Sequence, residues 1–273
     1  MPLAPVEKAR FWRDSGFGGM ECLSATFVTH EFALHAHDTF SIGAIDRGVQ
    51  IVTIRGAREA CGPGDLYLIN PGEIHDGAPQ PGGYRYRMIY PDVDLFREIL
   101  EDVTGKPFRG MPAFGRQILR DAKLSAAFYE AHRILEDGAG ALETGEPMFR
   151  VLEAMFRRHG NAIVVPAESR EKTGVERARD YLVANYADDV RLEELAAVAG
   201  LSRAHLIRAF RRQFHITPHS FLTDIRIRMA RQQLRQGGSP AQIAIDTGFA
   251  DQAHFTRHFK ARTGLTPGQY RAR

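Results

Sequence analysis

The sequence predicts an α+β chain: an N-terminal β-barrel with accessory helices, then an all-α C-terminal domain built on a repeated helical unit. Three observations carry this. Residues from about 20 to 91 run as short apolar segments broken by Gly, Pro and Asn turns. From about 93 onward the apolar residues recur with a helical period. The last hundred residues hold two copies of one segment.

Strands are expected at 42–45, 50–54 and 65–69. The turns between them are expected at Asp46-Arg47-Gly48, Cys61-Gly62-Pro63-Gly64 and Asn70-Pro71-Gly72. A further strand at 84–90 sets Tyr84, Tyr86, Met88 and Tyr90 on one face and Arg85 and Arg87 on the other. Short strands at this spacing, without helices between them, indicate a barrel or sandwich. Within 93–160, Leu119, Ala122, Ala126, Tyr129 and Arg133 fall at helical spacing, and Met148, Leu152, Met155 and Phe156 form a second apolar stripe. These helices are expected to pack on the barrel or on a second copy of the chain. The stretch 161–170 has no period and contains Pro166. It is read as a linker, giving domains at 1–160 and 171–273.

The repeat places Leu195-Ala196-Ala197-Val198-Ala199-Gly200-Leu201 against Ile243-Ala244-Ile245-Asp246-Thr247-Gly248-Phe249. Downstream, His205/His254, Arg208/Arg257, Phe210/Phe259, Thr217/Thr266, Pro218/Pro267 and Phe221/Tyr270 match at one offset. Each copy has what a helix-turn-helix requires. Ala196 or Ala244 allows close helix approach, Gly200 or Gly248 ends the first helix, and Ser202 or Asp251 caps the next. Leu206, Phe210 and Phe214, like Phe255 and Phe259, make a buried stripe. The opposite faces carry Ala204, Arg208 and Arg211, and Ala253, Arg257 and Lys260. A helix anchored by aromatics with arginines on its back suits the DNA major groove. Between the copies, Thr217-Pro218 starts a helix of about 18 residues, roughly 27 Å long.

Charge follows the same division. Residues 170–273 hold 18 Lys and Arg against 10 Asp and Glu, whereas the rest of the chain is net acidic. A basic terminal domain fits a polyanionic partner, here double-stranded DNA. No apolar run approaches the ~18–20 residues of a membrane span. The N-terminus lacks the apolar core of a secretory signal. Cys22 and Cys61 form no CxxC or ligand spacing. A cytoplasmic setting is expected, with no membrane partner.

The second copy resembles the signature of the arabinose-regulator (AraC/XylS) family of bacterial transcription regulators. The matching residues are Ile243-Ala244, Gly248-Phe249, Asp251, His254-Phe255, Arg257, Phe259-Lys260, Gly264, Thr266-Pro267 and Tyr270-Arg271. The resemblance implies two helix-turn-helix units joined by a long helix. It also implies DNA contacts at Arg203, Ala204, Ile207 and Arg208, and at Gln252, Ala253, His254 and Arg257. Ser202, Arg211, Asp251 and Lys260 complete the expected DNA-facing set. Residues 20–91 resemble the cupin-type sensor of many family members, through His35-Ala36-His37, Gly43, Gly48, Pro63-Gly64-Asp65 and Asn70-Pro71-Gly72-Glu73-Ile74-His75. A homodimer is expected, with RNA polymerase as a further partner if the chain activates transcription.

His35 and His37 point to one side of a strand, and the resemblance brings His75 to the same barrel mouth. Three readings stand: a bound Zn, Fe or Ni ion, a polar effector pocket, or structural histidines. The glutamate that cupin metal sites usually add is missing, since Ser41-Ile42 occupies its place. This disfavours an iron enzyme, and no catalytic residues are expected. Glu73, Arg47 and Arg87 are expected to flank the pocket and bind a small polar effector, with an amino-acid-like molecule as one option. Nucleophile-elbow, P-loop and dinucleotide motifs are absent, and His30-Glu31-Phe32-Ala33-Leu34-His35 misses HExxH by one residue.

Overall fold

The computed structural model describes residues 7–104, 107–108, 110–137, 141–163 and 173–271. Two compact units are present: the first lies within residues 1–166, and the second takes in 167–273 with the short segments 32–36 and 74–76.

In the first part of the chain the strands are β1 (Lys8–Asp14), β2 (Met20–Phe27), β3 (Phe32–His35), β4 (Ser41–Ile54), β5 (Ala57–Cys61), β6 (Asp65–Ile69) and β7 (His75–Tyr90). Helix α1 (Val93–Thr104), strands β8 (Met111–Phe114) and β9 (Ile118–Arg120), helices α2 (Ala122–Asp137) and α3 (Ala141–His159), and strand β10 (Gly160–Ile163) follow. Eight strands form one sheet in the order β1-β2-β7-β4-β6-β9, with β3 on β7 and β5 on β4; β8 pairs with β10 apart from it. The path runs from β1 to β9, so the sheet is open and not the closed barrel the sequence suggested. Alternation along the strands separates two faces. Cys22, Ile42, Ala44, Leu66, Leu68 and Ile89 pack against Phe96, Leu100, Phe128, Leu135, Leu152 and Met155 of the three helices. On the other face, Leu23, Ala25 and Phe27 stand opposite Met88, Tyr86 and Tyr84. Each fully buried Leu, Ile, Phe or Met among them contributes about 1.5–3 kcal/mol.

Several elements differ from the sequence expectation. The strand at 84–90 begins at His75, and β1 precedes the expected start at residue 20. Asp46-Arg47-Gly48 is no turn: β4 runs through it. Gly48, at φ 71, instead bends the strand, and a Cβ there would lie 1.9 Å from the Gly83 carbonyl oxygen. The stretch expected to be helical contains β8 and β9, the start of the expected linker forms β10, and Leu119 belongs to β9 rather than to α2. Most of the expected linker at 161–170 lies outside the described residues.

The second unit is mainly helical: α4 (Gly174–Ala184), α5 (Leu192–Ala199), α6 (Arg203–Phe214), α7 (Pro218–Arg235), α8 (Pro240–Asp246), α9 (Gln252–Thr263) and α10 (Pro267–Arg271). Thr173 and Glu176 form a capping box at α4. Thr217 accepts the Ser220 amide, with Pro218 in the first turn of α7. Helix α7 serves both halves. Phe221, Leu222 and Ile225 join Leu195, Leu206 and Phe210 in one core, and Ile227, Ala230 and Leu234 are buried on its second half.

Candidate DNA-binding face and effector pocket

The two recognition helices are set by equivalent devices. The Ser202 hydroxyl accepts the His205 amide at 3.4 Å, and the Asp251 carboxylate accepts the His254 amide at 2.6 Å. Gly200 and Gly248 take the left-handed conformation, at φ 68 and 79. Leu206, Phe210, Phe255 and Phe259 are fully buried. Phe210 lies 4.7 Å from Phe214 and 5.4 Å from Phe221 between ring centroids, and Phe259 lies 5.4 Å from Tyr270. These anchors turn the other side of each helix outward. Ser202, Arg203, Ala204, Ile207, Arg208 and Arg211 are exposed, as are Asp251, Gln252, Ala253, Arg257 and Lys260.

Two expected contacts have intramolecular partners as well. Arg203 pairs with Glu193 at 2.5 Å, an exposed bridge that a phosphate can displace at small cost. His254 is half-buried, 4.6 Å from the His258 ring and 5.6 Å from Phe249. His258 is held down to about 4, by burial first and then by Arg262. Beneath this face sits a charged cluster that sequence reading missed. Asp224 and Arg262 are both buried, with Arg228 3.5 Å from the Asp224 carboxylate and Arg262 at 4.0 Å. The missed signal was an aspartate inside an otherwise apolar stripe of α7.

Around β3 and the start of β7, the ligand nitrogens of His35, His37 and His75 lie within 4.8 Å of one another, and all three residues are buried. The His35 and His75 rings are 4.4 Å apart, and His37 lies 5.2 Å from Tyr90. His35 Nδ1 donates to the Ala33 carbonyl at 2.7 Å, which leaves Nε2 with its lone pair. Burial first, then the neighbouring His75, holds His35 well below the usual imidazole range. A neutral imidazole oriented by a backbone carbonyl is the form that binds a divalent transition metal, so the donor set fits such an ion. It equally fits a hydrogen-bonding ligand.

The other residues expected at this pocket face elsewhere. Glu73 accepts from Arg55, from the Asn70 amide at 3.0 Å and from Gln117 at 3.2 Å. Arg87 is on the helix side of the sheet, bonded to Glu136 and to His132 Nδ1. Arg47 is exposed where β4 bends. The structure therefore brings the three histidines together and gives Glu73, Arg47 and Arg87 other surroundings. The neighbours that sequence reading underrated are aromatic: Phe32 lies 6.0 Å from His35 and Tyr90 5.2 Å from His37 between ring centroids.

A strand-built domain followed by paired helix-turn-helix units defines a ligand-responsive DNA-binding regulator. Comparison with known proteins places it further. Residues 17–152 match the AraC-like ligand binding domain, and 195–273 match a helix-turn-helix domain. An HTH-type transcriptional regulator of Bacillus subtilis, YbfI, is 32% identical over 83% of this chain and 82% of its own length. The arabinose operon regulatory protein of Salmonella typhimurium is 28% identical, over 83% and 82%. The crystal structure of ToxT from Vibrio cholerae O395 superposes with a TM-score of 0.52 at 13% identity, covering 97% of each chain, and so shares the fold. The chain belongs to the AraC family of transcription regulators, with a ligand-binding domain followed by a helix-turn-helix DNA-binding domain. Among the described residues no helix is long and apolar enough to cross a membrane.

Proposed function

We propose that this regulator reads two successive major-groove segments of one duplex with α6 and α9, under the control of a small molecule held in the strand-built domain. The observation that carries the reading is the matched pair of recognition helices. Both are capped by a side chain at the same position, both are anchored by buried phenylalanines, and both expose an arginine, Arg208 or Arg257, at the same place. Helix α7, about 27 Å long, spaces the units on the scale of one DNA turn. In the direct-contact set, Arg208, Arg257 and Gln252 have side chains that hydrogen-bond base edges, while Ala204, Ile207 and Ala253 meet thymine methyls. Arg211 and Lys260, a turn further along each helix, serve the phosphates.

The histidines His35, His37 and His75 act in sensing, not in catalysis: among the described residues, their ligand set includes no carboxylate to complete an enzymatic iron centre. We further place the chain in the cytoplasm as a homodimer, contacting RNA polymerase where it activates. Footprinting on genomic operator fragments tests the reading. Protection of two adjacent major-groove segments on one face is expected, with affinity falling steeply as salt rises. Salt-insensitive binding, or protection of single strands alone, overturns it.

A further inference from the structure

Residues 32–36 and 74–76, which carry His35 and His75, fall in the same compact unit as the helices. Each segment places one apolar side chain, Leu34 or Ile74, against the core that includes Leu206, Phe210, Phe221 and Ile225. The next residue in each is the histidine, and the two imidazoles lie 4.4 Å apart between centroids. Two of the clustered histidines are therefore seated on the unit that carries both recognition helices.

The backbone beside His35 is tied to that unit as well. Both oxygens of the Asp224 carboxylate accept the Ala36 amide, each at 3.3 Å. Asp224 stands on α7 and is 1% exposed, so its charge needs partners. Arg228 Nε lies 3.5 Å from it, and Arg262 Nε, on α9, lies 4.0 Å from it. At 4.0 Å no hydrogen bond forms, and Arg262 Nε has no other partner among the described residues. Arg262 belongs to the buried stripe of Phe255 and Phe259, while the opposite face of α9 exposes Gln252, Ala253 and Arg257. One carboxylate thus has two arrangements open to it. In the arrangement observed it holds the Ala36 amide and leaves Arg262 short of contact. In the other, Ala36 has moved away and the carboxylate draws Arg262 to about 2.8 Å, the length of a charge-assisted hydrogen bond. That exchange pulls on the last turn of α9.

On the reading that His35 and His75 act in sensing, we propose that Asp224 is the positioning residue of the response. A ligand that draws on the two imidazoles shifts Ala36, Asp224 exchanges the Ala36 amide for the Arg262 guanidinium, and α9 moves with the base-reading face it carries.

Coupling is reciprocal, so DNA on α9 must act back on Ala36. Amide exchange of the full chain, read by mass spectrometry for the peptide containing Ala36, is compared with and without the genomic duplex that footprinting identifies. Ala36 lies outside the DNA-facing set, yet its exchange is expected to change at least about fivefold on binding, the low end of usual allosteric couplings. Arg262→Met removes the cation and Arg262→Lys keeps it. Both are expected to bind the duplex, with the Ala36 response lost in the first and kept in the second. Where Arg262→Met melts below the working temperature, Asp224→Asn takes its place with the same expectation. An Ala36 peptide indifferent to DNA in the wild type overturns the proposal, as does an equal response in Arg262→Met or a lost one in Arg262→Lys. A chain that protects no genomic duplex overturns the DNA reading and this proposal with it. A reporter fused to the same duplex, if its regulation across growth media survives His35→Ala unchanged, overturns the sensing reading and leaves the Asp224 link standing.

Discussion

Replacing Gly248 by valine measures how much the second helix-turn-helix depends on one backbone position. Gly248 sits at φ +79, and a Cβ there would lie 2.6 Å from the Ala187 carbonyl oxygen and 2.9 Å from the Arg226 guanidinium carbon. The left-handed backbone alone costs an L-residue about 1–2 kcal/mol, and more when it is β-branched. Relieving the contacts displaces Arg226, whose Nε donates to the Tyr186 carbonyl at 2.7 Å and whose Nη2 donates to that of Asp188 at 2.9 Å. Hydrogen bonds from a charged donor contribute about 1.5–3 kcal/mol each. Together these come to about 4–8 kcal/mol, and the lower end alone is much of the stability of an ordinary domain. Urea unfolding of the full chain reads this out through helical circular dichroism, while Trp12, the single tryptophan, reports on the first unit. The helical transition of Gly248→Val is expected at least about 2 M lower in urea, for a slope of roughly 2 kcal/mol/M, with the Trp12 transition unchanged. A helical midpoint within about 0.5 M of wild type refutes the argument.

How far the sequence could be read depended on how local the controlling physics was. The recognition helices were legible because caps, apolar period and turn glycines lie within a few residues of one another: Ser202 with His205, Asp251 with His254, and Phe255 with Phe259. The histidine pair was read as sharing one strand, but β3 ends at His35 and His37 lies in the segment beyond it. Gly48 was misread as a turn because its role depends on Gly83, on another strand, which no local pattern reveals. Arg87 was assigned to the pocket although alternation set it opposite Tyr86. Its partners, His132 and Glu136, stand more than forty residues away on α2. The short strands β8, β9 and β10 escaped because three or four residues carry too little period to compete with the helices beside them.

Arg208→Ala and Arg257→Ala should each weaken operator binding by about 1–3 kcal/mol with unchanged urea midpoints, since both side chains are exposed. Equal operator affinity in a gel-shift titration refutes their placement. Asp224→Ala leaves Arg262 buried without its carboxylate and should lower the stability of the helical unit by about 3 kcal/mol; a midpoint unchanged in urea refutes the buried pairing. The last prediction concerns His132, which is fully buried on α2. Its Nδ1 accepts from Arg87 and its Nε2 donates to the Met88 carbonyl, each at 3.0 Å, so the ring is neutral. Burial first, and Arg87 second, pushes it down to about 3, whereas the unfolded ring titrates near 6.5. The unfolded chain therefore takes up this proton first. The contribution to stability is complete above roughly pH 6.5 and is lost as pH falls toward the folded value, by at most about 1.4 kcal/mol per unit. The buried His35 acts in the same direction. Trp12 lies edge-on to His132 at 5.1 Å and reports on that part of the fold directly. Its urea midpoint should drop steadily from pH 6.5 to 4.5, and His132→Gln, which keeps a donor and an acceptor but does not titrate, should reduce that slope. An equal slope in the variant would show that His132 is not the group whose protonation unfolds the first unit.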